Sequence, residues 1–145
     1  MHVEPRFRRQ IKALITKDPS ARALNDALSE ADRIRFNRYG EAVVAVLLRP
    51  RFGDATAADL TALTTAIVAG HRVERRPVNA LVIEHVLLAA FGLPSLFDTA
   101  EVPAYIVSGS AAAVIRHERD TRPDVARKAD AILDAAEAAL RTQTG

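Results

Sequence analysis

Glu84 and His85 are the most conspicuous candidates for chemistry, because they interrupt an otherwise apolar run, PVNALVIEHVLLAAFG, from Pro77 to Gly92. A carboxylate beside an imidazole could pass a proton or help to hold a metal. Adjacent side chains diverge by about 100° around a helix, so these two cannot grip one ligand from the same face. Helices that bind metals place their ligands at i, i+3 or i, i+4, as in Glu-x-x-His, and that spacing is absent. The plainer expectation is a narrow solvent-facing stripe, or a core histidine bonded to a carbonyl. A buried Glu84 would need an arginine from a neighbouring helix.

His71 and His117 lie among charges, in His71-Arg72-Val73-Glu74 and Arg116-His117-Glu118-Arg119. They could join His85 only if the fold brought three helix ends together. The chain has no cysteine, which excludes disulfides, thiolate zinc sites and a cysteine nucleophile. Val107-Ser108-Gly109-Ser110 lacks the second glycine of a nucleophile elbow, and no glycine-rich run carries the lysine of a phosphate loop. The small residues from Ser108 to Ala113 read instead as a waist where another backbone packs closely. No catalytic residue, metal or cofactor is expected.

Charge offers a different kind of site. Seventeen of the 20 basic residues are arginines, and most of the basic residues fall in the first half. Arg6, Arg8, Arg9, Lys12, Arg33, Arg35 and Arg38 could form a basic patch if the fold gathers them. The hinge HRVERR, His71 to Arg76, enters the apolar run at Pro77. There Arg72, Arg75 and Arg76 meet a helix start, which favours anions, so with Asn79 they mark a place for a bound anion. No helix pair shows an exposed polar recognition helix after a turn.

These residues must be positioned by helices. Phe7, Ile11, Leu14 and Ile15 share one helical face, opened by Glu4-Pro5 and stopped at Asp18-Pro19. Ser20 caps a second helix that keeps its period to about Arg35. Phe36 to Gly40, FNRYG, reads as a break. Residues 41–48 are rich in β-branched valines but lack a convincing strand partner, so they are read as helix, ended by Arg49-Pro50. Thr56-x-x-Asp59 opens the next helix and Gly70 closes it.

Pro77 to Gly92 is apolar on nearly every side and must be covered by other elements, which makes it the buried central helix. Asp98 or Thr99 caps a helix running through Tyr105 to about His117. Thr121-x-x-Asp124 starts the last helix, whose alanine-rich stripe runs from Val125 to Leu140 and either caps the core or meets a partner. Residues 142–145 should fray. The expected fold is all-α: one compact domain over residues 1–145, a bundle of about six to seven helices around 77–92.

Apolar residues make up 49% of the chain and charged residues 26%, the balance of a globular domain. No apolar stretch reaches the roughly eighteen residues of a membrane span, and no secretory signal is evident, so a cytoplasmic protein is expected. Three functions fit. The leading one is a non-catalytic protein-interaction or regulatory module, its partner another protein or, in a homodimer, a second copy of itself. The second is a nucleic-acid-associated regulator using the basic first half. The third is a small helical enzyme or ligand-binding protein, with a pocket beside the central helix and Tyr105 and with Glu84, His85 or His117 as acid-base groups.

Overall fold

The computed structural model describes residues 3–73, 78–94 and 101–143. Among them the chain forms seven α-helices and no strand: α1 (Pro5–Ile15), α2 (Ala21–Asp26), α3 (Glu30–Phe52), α4 (Ala57–Val73), α5 (Ala80–Ala90), α6 (Ala104–Thr121) and α7 (Ala129–Gln143). The protein is an all-α bundle. The valines at 43, 44 and 46 lie in α3, as helix.

The organisation differs from expectation in the first half. The helix expected from Ser20 to Arg35 is two helices. Ser20 makes no capping hydrogen bond, and α2 stops at Asp26. The effective cap is Ser29: its hydroxyl accepts from Asp32 N–H at 3.1 Å, while the Asp32 carboxylate accepts from Ser29 N–H at 3.1 Å. That reciprocal pair satisfies two donors at the start of α3.

The expected break at FNRYG is absent. Phe36, Asn37, Tyr39 and Gly40 are buried within the continuous α3, where Gly40 lies against Ala111 of α6. A Cβ at Gly40 would lie 3.6 Å from that of Ala111, an ordinary contact, so the helix packs on the small-residue waist without interruption. Arg49-Pro50 does not end the helix either. Pro50 sits in the last turn, and α3 runs to Phe52, where Gly53 takes a positive φ of 56°.

Local chemistry sets most other ends. Lys17, with φ 58°, closes α1: Asp18 N–H donates to Ala13 O at 2.8 Å in a Schellman turn, ahead of the expected stop at Asp18-Pro19. Thr56 and Asp59 form the expected reciprocal cap of α4. Gly70 does not end α4, which continues through Val73. Asn79 caps α5 through Val82 N–H, so that helix starts at Ala80 rather than at Pro77, which lies outside the described residues. Gly92, with φ 68°, ends it as expected.

The helix α6 runs past His117 to Thr121. The expected cap at Asp98 or Thr99 lies outside the described residues. Thr121 is still helical and donates its hydroxyl to His117 O at 2.7 Å, so it cannot cap the next helix, and α7 begins at Ala129 instead. The helix α7 extends through Thr142 and Gln143, where fraying was expected.

The longest helix, α3, packs against α1, α5, α6 and α7, and α5 is held among α3, α4 and α6. Val82, Ile83, Val86, Leu87 and Leu88 bury the α5 side chains, as an apolar helix demands. The α7 stripe of Ala129, Leu133, Ala136 and Leu140 is buried in the same core. Tyr39 is buried beside that stripe, and its hydroxyl donates to Glu137 of α7 at 3.3 Å. No described helix is long and apolar enough to cross a membrane.

Candidate functional site

The Glu-His pair diverges. Glu84 faces α4, where its Oε1 accepts from the Thr61 hydroxyl at 2.7 Å. His85 is buried, and burial lowers its pKa. It opens onto a recess shared with Asn37, Arg38 and Glu41, which neither Glu84 nor His117 lines. His71 Nδ1 lies 2.9 Å from Ile67 O, and Arg116 approaches its Nε2 at 3.5 Å. His117 is half-buried and its pKa is also lowered, chiefly by burial. Among the described residues, no group of three His, Asp or Glu side chains could hold a metal.

At the hinge, Arg72 is exposed, and Arg75 and Arg76 lie outside the described residues. Asn79 turns its side-chain oxygen onto the α5 N-terminus. The residues of the basic patch are largely engaged with carboxylates. Arg6 reaches Asp32 at 2.8 Å and Glu4 at 3.0 Å, and Arg35 reaches the same two acids. Hydrogen bonds from Arg6 and from Ser29 hold the Asp32 carboxyl down to about 2. Arg8 joins α1 to Asp130, Asp134 and Glu137 of α7, and Lys12 also reaches Asp130. Arg9 and Arg38 are exposed.

Arg33 behaves differently from its neighbours. It is only 9% exposed, and its two terminal nitrogens donate to Asn25, to Oδ1 at 3.0 Å and to the backbone O at 2.8 Å. Among the described residues it has no carboxylate partner. Asn25 Oδ1 accepts a second bond, from Gln10 Nε2 at 3.1 Å. A guanidinium can only donate, so Arg33 fixes which end of the Asn25 amide is oxygen. That oxygen in turn fixes Gln10 with its NH₂ toward Asn25. Gln10 Oε1 is thereby left buried with no hydrogen-bond partner among the described residues.

These three side chains stand in the wall of a groove of about 830 Å³ between α1, α2, α3 and α6. Ile11, Leu14, Phe36 and Ile115 supply its apolar floor, and Gly40, Gly109, Ala111 and Ala112 keep it open. Arg22, Asp26, Tyr105 and Arg116 also line it. Tyr105 was expected beside a pocket, but the groove takes no residue from α5. Gln10 and Asn25 were not legible as site residues. The one signal was Gln10 falling on the buried face of α1, three residues after Phe7, where a polar side chain needs a partner.

At the far end of α6, Glu118 is fully buried. Arg51 donates to both its oxygens, at 2.6 and 2.7 Å, and Arg122 adds a bond at 3.0 Å. Arg122 also donates to Leu47 O. This triad fastens the end of α3 to α6.

Comparison with family models, with curated proteins and with solved structures finds no match to this chain.

Proposed function

We propose that the chain is a non-catalytic binding and regulatory module whose receptor site is the groove between α1, α2, α3 and α6. The observation that supports this reading is the groove itself, about 830 Å³ with an apolar floor and a few polar groups converging on it. That size lies within the roughly 300–1,000 Å³ of small-molecule sites. Its ionisable lining is Arg22, Asp26, Arg33, Tyr105 and Arg116. Arginines cannot shuttle protons at neutral pH, and among the described residues no histidine lies in the lining to pair with Asp26 or Tyr105, which favours recognition over proton transfer.

A nucleic-acid partner is the weaker proposal, because Arg6, Arg8, Lys12 and Arg35 already pair with acids of the same chain. A protein partner acting in response to the bound ligand is consistent with the regulatory reading. The test is a small-molecule fragment library screened by saturation-transfer NMR on the wild type, Gly109→Ala and Gly109→Phe. Gly109 lines the groove and a Cβ there meets nothing within 4 Å, so a phenylalanine at this position is expected to obstruct the groove rather than enter the core. Fragments should bind the wild type and Gly109→Ala and be lost in Gly109→Phe. Equal binding to all three, or chemical turnover of the hits, would overturn the reading.

A further inference from the structure

We infer that the groove takes a small organic acid with an apolar body and an N–H or O–H donor, its anionic group paired with Arg33. This rests on the groove being the binding site, and it specifies the ligand's chemistry.

The first argument is the charge of Arg33. A guanidinium that is 9% exposed normally pairs with a carboxylate, because an isolated buried charge is costly. Arg6, Arg8 and Arg35 each have such partners, whereas among the described residues Arg33 donates to the neutral Asn25 alone. Two of its five N–H donors are directed there. The remaining donors and the unit charge suit an anion that arrives through the groove. Arg22 and Arg116 add positive charge to the lining against the single acid Asp26.

The second argument is independent of charge. The chain Arg33, Asn25, Gln10 leaves Gln10 Oε1 as an acceptor with no partner. A ligand bearing only acceptors would leave it unsatisfied. One with an N–H or O–H satisfies it, through a small rotation of the Gln10 amide into the groove that it lines. The third argument is the floor: the half-buried Leu14, backed by the buried Ile11, Phe36 and Ile115, gives a hydrocarbon or aromatic body an apolar base to rest on.

Three matched probes separate these contributions: indole-3-acetate, indole-3-acetamide and 1-naphthaleneacetate. The first carries a carboxylate and an N–H, the second exchanges the charge for a neutral amide, and the third keeps the charge and loses the N–H. Isothermal titration calorimetry should rank indole-3-acetate first. Loss of the charge is expected to weaken binding about tenfold or more, and loss of the N–H about threefold to tenfold. Arg33→Met should abolish the preference for the acid over the amide, and Gln10→Leu the preference for indole over naphthalene. Circular dichroism melts check that both variants fold, and if either does not, the wild-type ranking alone decides.

The inference is overturned if the three probes bind within a factor of about two of each other. In that case, loss of all binding in Gly109→Phe would leave the groove standing as the receptor site, with another ligand class. Failure of every probe to bind at millimolar concentration, or binding untouched by Gly109→Phe, would overturn the ligand class, and the latter would remove the groove as well.

Discussion

Arg51 meets the buried carboxylate of Glu118 through both oxygens, at 2.6 and 2.7 Å, and so ties the last turn of α3 to the last turn of α6. The two partners are unequal. Glu118 has no exposure, whereas the Arg51 side chain is 38% exposed and can recover water. The consequences of breaking the pair should therefore differ by which side is removed.

Replacing Arg51 and Arg122 together by methionine strands the carboxylate and is expected to cost about 3–5 kcal/mol. Glu118→Gln keeps the shape and some hydrogen bonds, so a smaller loss of about 1–3 kcal/mol is expected. Urea unfolding of both variants measures the difference. A larger loss for Glu118→Gln would show that the arginines, not the acid, bear the desolvation.

Gly70 and Gly109 lie inside α4 and α6, and a Cβ at either position meets nothing within 4 Å. Alanine should stabilise each helix by roughly 0.5–1 kcal/mol, because the unfolded chain loses less freedom on folding. Thermal melts should show additive gains, the two sites lying on separate helices. A destabilised Gly70→Ala would contradict the helical continuity of α4 through Val73.

Lys17 closes α1 with φ 58°, a conformation that disfavours a side chain with a Cβ. Lys17→Gly should gain up to about 1 kcal/mol by relieving that strain. The substitution removes an exposed ion pair to Asp120 at 3.5 Å, whose contribution is small. Equilibrium denaturation should give a higher midpoint with an unchanged slope.

The two histidines His85 and His117 and the carboxyl of Glu41 make the pH dependence run in opposite directions. Burial lowers the pKa of His85 below 6.5, and that of His117 likewise. Above pH 6.5 neither state carries the proton. Below it the unfolded chain takes up protons first, so stability falls as pH drops. The loss between pH 7 and 5.5 should shrink in His85→Gln and in His117→Gln, and an unchanged slope in both would refute the assignment.

Burial raises the pKa of Glu41 above 4.5, with Arg38 partly opposing the rise. Its stabilising contribution is present below pH 4.5 and is lost as pH rises through the folded value. Glu41→Gln should therefore raise the melting temperature at pH 7 and leave it unchanged at pH 4. A gain of equal size at both values would point to packing rather than charge.

The candidate site was legible only in part. Arg33 was one of several residues of an expected basic patch, and Tyr105 was expected beside a pocket lined by the central helix. What distinguishes Arg33 from Arg6 or Arg35 is that it has no carboxylate partner among the described residues, and that depends on which helix lies opposite. Gln10 and Asn25 are fifteen positions apart and belong to different helices, so no local spacing connects them. The Glu84-His85 pair was conspicuous for a converse reason: proximity in sequence placed the two side chains on different sides of α5.

By itself the sequence determined the helical class, through the 3.6-residue period of its apolar positions, and several helix ends, through caps such as Thr56-x-x-Asp59 and Gly92. Those signals act within one or two turns and do not need the rest of the fold. Tertiary structure decided whether FNRYG would break or continue, because the gain from burying Phe36 and Tyr39 and from seating Gly40 on Ala111 exceeds glycine's local penalty. It also decided which charges are paired within the chain and which face a groove, because an ion pair depends on distance in space and the order of residues along the chain does not set that distance.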